Sequence, residues 1–240
     1  MIKKVFAGFA LAVVLAGSAG AQIISQWNFD PNPPADLTDS ATITGIAASI
    51  GTGTASGVHA SALTDWTTPA GNGTSDSLSA TNWGVGDYFQ FTLSTTGFSG
   101  IYVAWSQTGS NTGPRDFKLS YSLDGTSFVD VKSYSITNDG WNGTTSYKAA
   151  SLYSADLSSI SELNNAATVY FRVIDTSTTG IGGSAVATGG TGRIDQFTVS
   201  QGFVDITVTP VPEPHEYALA VAGLLGLVII MRRRKAAQVF

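Results

Sequence analysis

The 240-residue chain contains no cysteine, two histidines and few charges, with Asp, Glu, Lys and Arg making up 12% of it. That charge content is about half the ~25% of an average globular domain. Without cysteine there is no disulfide framework. One histidine in the body of the chain and no thiolate argue against a zinc site, because zinc needs several converging His, Cys or carboxylate ligands. Cations are scarce too, 12 Lys and Arg against 17 Asp and Glu, and the isoelectric point is near 4.8. A nucleic-acid partner needs a basic face to neutralise phosphates, and the sequence offers none. What the chain has is 55 Ser and Thr, 27 Gly and 43% hydrophobic residues. This excludes a coiled coil, which would be rich in Ala, Glu, Lys, Leu and Arg. The length allows one sandwich-sized domain or two small ones.

Much of the hydrophobicity sits at the two ends. Residues 1–21 read as a secretory signal peptide. Lys3 and Lys4 form a positive start, Val5 to Ala16 is an unbroken apolar run, and small residues follow, with Ala19 and Ala21 at the A-x-A positions. Cleavage is predicted after Ala21. At the other end stand Pro212, Glu213 and Pro214, then the uncharged run from Ala218 to Met231, then Arg232, Arg233, Arg234 and Lys235. Fourteen helical residues span about 21 Å, short of the ~30 Å hydrocarbon core. The basic block fits the positive-inside rule, and its arginines can snorkel to lengthen the effective span. A transmembrane helix is therefore expected at 217–231, with the basic block inside. Prolines 210, 212 and 214 keep the preceding segment extended. A plain C-terminal anchor behind a Pro-rich spacer is the simpler alternative.

The order Pro-Glu-Pro, short apolar run, Arg-rich end resembles the PEP-CTERM sorting signal, an element also called an ice-binding-protein C-terminal domain. The resemblance covers roughly 30 residues, and His215 departs from the small hydroxyl residue more usual there. It implies processing near Pro212–Pro214 by an exosortase, a transpeptidase of the inner membrane of Gram-negative bacteria, and delivery to the cell surface or an extracellular polysaccharide matrix.

With the ends set aside, residues 22–211 hold 15 acidic residues, 14 of them Asp, against Arg115, Lys118, Lys132, Lys148, Arg172 and Arg193, a net charge of −9. Such a body is soluble and repels polyanions. Its pattern is β throughout. Ile23–Phe29 opens the set, and Phe89–Leu93, Ile101–Trp105 and Phe117–Leu123 alternate with period two. Asp124-Gly125 marks a hairpin turn, and Phe128–Ile136 is its return strand. Thr168–Ile174, Ile194–Ser200 and Val204–Val208 complete the strands. A short helical turn is expected at Ser154–Leu163, with Ser154 as its N-cap. The strands predict an all-β fold, one antiparallel β-sandwich of jelly-roll type. Gly113–Phe117, Tyr121–Gly125, Phe171–Val173 and Arg193–Asp195 make the segment similar to jelly-roll modules of exported bacterial proteins, which commonly bind carbohydrate or act as adhesive domains.

Catalytic patterns are missing. A Ser-His-Asp triad would have to use His59, which reads instead as a surface or strand histidine. No nucleophile elbow surrounds any serine, and no spacing selects a carboxylate pair for glycoside hydrolysis. Gly51–Gly53 and Gly189–Gly192 lack phosphate-loop spacing. Arg115 is expected to pair with an aspartate. Calcium takes oxygen ligands, so Asp30, Asp36, Asp39 and Asp195 are candidates for a structural calcium; the alternative is that they cap turns and loops. No other cofactor is implied. Trp66 and Trp141, in polar segments, are candidate sugar-stacking platforms or else fold back over the sandwich edges.

The expectation is a signal peptide at 1–21, a β-sandwich at 22–209 and a sorting signal at 210–240. The main functional reading is a non-catalytic surface or matrix protein sorted by an exosortase. The alternatives are a carbohydrate-binding or adhesive module and, less favoured, a secreted hydrolase.

Overall fold

The computed structural model describes residues 21–30, 33–143 and 147–206. The expected leader through residue 20, the sorting element at 210–240 and the helix at 217–231 lie outside them. Among the described residues no helix is long and apolar enough to cross a membrane.

Among the described residues thirteen strands build the body: β1 Gln22–Trp27, β2 Thr42–Ala47, β3 Ile50–Gly51, β4 Thr54–Val58, β5 Trp66–Thr67, β6 Leu78–Ala80, β7 Tyr88–Leu93, β8 Ile101–Gly109, β9 Asp116–Ser122, β10 Val129–Ser135, β11 Leu152–Asp156, β12 Val169–Asp175 and β13 Gly192–Gln201. They form two antiparallel sheets. The first runs β11-β8-β13-β1-β3, with β6 on β13 and β5 on β6. The second runs β10-β9-β12-β7-β4-β2. The fold is thus an all-β sandwich, as expected from the alternation.

Period-two alternation sends every second residue into the space between the sheets. From the second sheet come Phe89, Phe91, Phe117, Leu119, Phe171 and Val173, and from the first Trp27, Trp105, Ile194, Phe197 and Val199, all without solvent exposure. Phe91 and Phe197 meet across the gap as parallel rings with centroids 3.7 Å apart, and Trp27 stands edge-on to Phe91 at 5.2 Å. Burying each such ring stabilises the fold by about 1.5–3 kcal/mol.

The outer face of the first sheet is also covered, which is why β8 is buried at Ala104, Ser106 and Thr108 as well as at its inward positions. The chain around Asn72 folds over it. Asn72 donates from Nδ2 to Ser106 Oγ and the Lys148 carbonyl, both at 3.1 Å, and accepts from Lys148 N at 2.7 Å.

Three sequence expectations are corrected. Ser154 caps no helix: it lies inside β11, paired with Ala104, and the one helical turn of this stretch is the 3₁₀ turn Ser161–Leu163. Pairing with the edge of β8 outweighs local helix propensity here. No strand covers 203–206. Gly202, at φ +70°, turns the chain off β13 with its N–H on the Gly100 carbonyl. The hairpin after β9 is closed by the six residues 123–128 rather than by a tight turn. Asp124 holds that loop, accepting from Thr126 N at 2.8 Å and Ser127 N at 2.7 Å. These donors keep its carboxyl well below the usual carboxylate range.

Candidate functional site

The outer face of the second sheet is covered only in part, by the 123–128 loop, which leaves Ser120 and Ser122 buried, and strand register orders its side chains into cross-strand rows. Ser56 on β4 lies opposite Gln90 on β7, Gln90 opposite Arg172 on β12, Arg172 opposite Ser120 on β9, and Ser120 opposite Asp130 on β10. At about 4.8 Å between strands this polar row is about 19 Å long. The row on one side carries Val58, Tyr88, Ile174 and Lys118. The row on the other carries Thr54, Thr92, Tyr170 and Ser122. A line of amide, guanidinium and hydroxyl groups is thus flanked by a tyrosine on each side. Tyr88, Gln90, Tyr170 and Arg172 are all half-buried, with side chains reachable from solvent.

Arg172 is the centre of this face. Its guanidinium carbon sits 4.0 Å from the centroid of the Tyr88 ring and 3.9 Å from that of Phe128. Nε donates to Gln90 Oε1 at 2.8 Å. Phe128 reaches it from the 123–128 loop, and Gly125 of that loop lies over the Tyr170 ring, 3.2 Å from a ring carbon when a Cβ is built on it. Burial lowers the Arg172 pKa from its usual value. Two other cations of the sheet are neutralised by aspartates, while Lys132 on β10 donates to the Ser154 carbonyl at 2.6 Å. Arg115 makes the expected ion pair, a two-pronged contact with Asp116 through Nε at 3.0 Å and Nη2 at 2.9 Å, which holds the Asp116 carboxyl down to about 2. Lys118 meets Asp130 Oδ2 at 2.9 Å. Asp130 is itself held below its usual pKa, first by the Ser120 hydroxyl and then by Lys118.

The residues singled out from sequence fall elsewhere. Trp66 is fully buried, its indole N–H donating to the Ser40 carbonyl at 2.8 Å and its ring packed against His59 and Phe89. Trp141 is 7% exposed, with its N–H on Ser151 Oγ at 2.9 Å. Neither indole offers a face for sugar stacking, and the stacking expectation is corrected: both fold inward because a large ring gains more from burial than the polar residues around it lose. Asp30 accepts from Ser75 N and Asp76 N, both at 3.0 Å. Asp36 accepts from Thr68 N and Oγ1. The Asp39 N–H donates to Asp65 Oδ1. Asp195 is buried and accepts from Asn72 N at 2.8 Å, Thr74 Oγ1 at 2.6 Å and Gln196 N at 2.6 Å. Its burial pushes its carboxyl up to about 7, with the nearby Asp30 charge adding to the rise. The structure brings Asp30 and Asp195 near each other, while the Asp36 carboxylate and the Asp39 backbone N–H tie down loops. Among the described residues no three His, Cys, Asp or Glu side chains are grouped to hold a metal ion. Ala21 is exposed beside Gly202. Ala19, Pro212, Glu213, Pro214 and Arg232 to Lys235 lie outside the described residues.

His59, expected on the surface or in a strand, directly follows β4 and is 3% exposed, with Trp66 and Trp83 rings at 4.7 and 4.3 Å. Desolvation lowers its pKa to about 4, opposed by Asp87. Thr64 Oγ1 lies 3.1 Å and Asp87 Oδ2 3.6 Å from the same nitrogen, Nδ1. A catalytic relay places nucleophile and carboxylate on opposite ring nitrogens, so this cluster is no triad. Asp87 is structural, accepting from Ala60 N and Gly84 N at 2.7 Å each.

Sequence reasoning passed over Tyr88, Gln90, Tyr170, Arg172 and Phe128. Four of the five were marked by the alternation that identified the core, as its other parity: if Phe89, Phe91, Phe171 and Val173 point in, Tyr88, Gln90, Tyr170 and Arg172 point out.

No family model and no curated protein matches this chain. Solved structures do. One is the CBM22-1–GH10 module pair of the Clostridium thermocellum endo-1,4-β-D-xylanase 10B with xylohexaose, at 13% identity and TM-score 0.42, covering 75% of this chain and 29% of that one. The CBM22-2 xylan-binding domain of Paenibacillus barcinonensis Xyn10C has 10% identity and TM-score 0.43, covering 75% and 99%. The K2 cleaved adhesin domain of Lys-gingipain has 14% identity and TM-score 0.33, covering 54% and 73%. The chain thus spans less than a third of the xylanase. Likenesses this distant extend neither to site residues nor to a ligand.

Proposed function

We propose that the sandwich is a non-catalytic, jelly-roll-type carbohydrate-binding module that takes a glycan chain across the outer face of its six-stranded sheet. The observation that carries this is the solvent-reachable run Ser56–Gln90–Arg172 with Tyr88 and Tyr170 on either side; Ser120, next in the row, is buried and bonded to Asp130. Sugars present hydroxyls at their rims and C–H groups on their faces. A glycan site therefore combines fixed polar donors and acceptors with aromatic rings, and this face holds both. The protein carrying it is exported to the surface or matrix, where polysaccharide is the partner at hand. A screen of the purified protein on a glycan array tests the reading. Tyr88→Ala with Tyr170→Ala should weaken the binding found by about tenfold or more, since base–aromatic stacking of comparable area contributes ~1–3 kcal/mol per ring. A doubly substituted protein that keeps its circular dichroism spectrum and its affinity would overturn it.

The tail belongs to delivery. We propose that Pro212–Lys235 directs exosortase sorting, with the chain held in the inner membrane by 217–231 until cleavage. The order of the three parts in the sequence supports this. A chain truncated at Val211 should then be released rather than sorted; unchanged localisation and processing would remove the idea.

A further inference from the structure

Arg172 is set apart from the other cations of its sheet, among which Lys132 spends its ammonium on the Ser154 carbonyl at 2.6 Å. In a body with 15 acidic residues, Arg115 and Lys118 each have an aspartate within 2.9 Å. Arg172 has no ion-pair partner among the described residues. The carboxylate of its own row, on Asp130, stands two strands away, about 10 Å, and is already engaged by Lys118 and Ser120. The guanidinium carbon lies about 4 Å from the centroids of two rings, Tyr88 and Phe128, and Nε is held by Gln90. The two Nη groups remain. They meet no hydrogen-bond partner among the described residues, and neither is shut off from solvent. A guanidinium with its plane fixed and its outer edge unengaged matches a carboxylate, which it binds through two parallel N–H···O bonds. Its ordering cost is met in the free protein, because rings and amide already hold the rotamer.

We infer that Arg172 makes this face selective for carboxylate-bearing polysaccharide, a polyuronate, over the neutral chain of the same backbone. The inference rests on the glycan-binding reading above. The net charge of −9 opposes a polyanion at long range, but beyond about 8 Å that repulsion is screened at physiological salt. The contact at Arg172 is not.

The experiment measures binding of the full-length protein to polygalacturonate and to its fully methyl-esterified form, which keeps the backbone and removes the charge. The expected result is a preference for polygalacturonate of about tenfold or more, as for one charge-assisted two-pronged contact. Arg172→Gln should abolish the preference, and Arg172→Lys should fail to restore it, since an ammonium offers a point charge without the fork. Equal affinity for the two forms, or a preference unchanged in Arg172→Gln, overturns the inference while glycan binding stands. No binding to either form or to any neutral glycan overturns both. Thermal melts of each variant, expected within a few degrees of the parent, separate lost contact from lost fold.

Discussion

Replacing Gly57 by alanine should destabilise the protein, although the same change in an ordinary strand would stabilise it. Gly57 sits in β4, paired with Ile43 and Phe89, and its backbone is not in the left-handed region. By chain entropy alone, Gly→Ala at a compatible position gains about 0.4–1 kcal/mol. Here an alanine Cβ would stand 2.1 Å from Trp66 Cη2 and 2.2 Å from Cζ3. The indole has little room to retreat. It is fully buried, hydrogen-bonded to Ser40, and packed on His59 and Phe89. Overpacking of this kind costs about 1–3 kcal/mol, which for a domain of this size lowers Tm by about 2–12 °C. A cycle with Trp66→Phe isolates the cause, because phenylalanine lacks the outer ring atoms that the Cβ meets. That substitution should cost less than the ~3–5 kcal/mol of Trp→Ala. In its background Gly57→Ala should become neutral or favourable, giving a coupling of about 0.5–3 kcal/mol. Urea unfolding followed by circular dichroism measures all four proteins. The reasoning fails if Gly57→Ala is as stable as the parent, or if its cost is the same in the Trp66→Phe background as in the parent.

Other outcomes follow from the same contacts. Asp195 has a folded pKa of about 7, above its unfolded value, so its contribution to stability is full below about pH 4 and is lost as pH rises through 7. Asp175, pushed up to about 6 by burial, acts in the same direction, whereas His59, lowered to about 4, stabilises as pH rises from about 4 to 6.5. Against Asp195→Asn the His59 and Asp175 contributions cancel. The parent's advantage over that variant, read from urea unfolding, should shrink by on the order of 2 kcal/mol between pH 5 and pH 8; an advantage that grows refutes the assignment. Asp124→Ala frees the 123–128 loop that carries Phe128. It should weaken glycan binding on the array while leaving the melting temperature nearly unchanged. Exchanging EDTA for millimolar calcium should not move Tm, because the Asp36 carboxylate is taken by Thr68 and no three His, Cys, Asp or Glu side chains among the described residues are grouped to hold the ion.

The sandwich was legible because its core strands alternate. β7, β9 and β12 place Phe, Leu and Val at every second position, and that pattern admits little else. What escaped was the stretch from Thr42 to Ala80. It contributes five short strands, yet it is so rich in Gly, Ser, Thr and Ala that no period stands out. Its pairing is imposed from outside, by β7 and β13 offering their edges. Trp66 and Trp141 stood open between sugar stacking and folding back over the sandwich edges for a related reason, and their burial decides for the second. Polar neighbours in sequence indicate exposure only where those neighbours are exposed. Around Trp66 they are not: Thr64 is fully buried and bonds to Ser61 and His59. The Asp195 cluster was out of reach of sequence reasoning, since Asn72 and Thr74 meet it across more than 120 residues of chain.

The ends of the sandwich body bear on how the proposed glycan face and the proposed sorting tail could work together. β1 begins at Gln22 opposite Gln201, the last residue of β13, and Ala21 packs beside Gly202. Both ends of the sandwich body therefore leave from one corner of the seven-stranded sheet. The row through Arg172 lies on the outer face of the other sheet, with the whole core between them. A sandwich buries about 10 Å between its sheets, so a tether starting after Ile206 begins on the far side of the molecule from the proposed glycan. Ligand and anchor need not compete for the same surface.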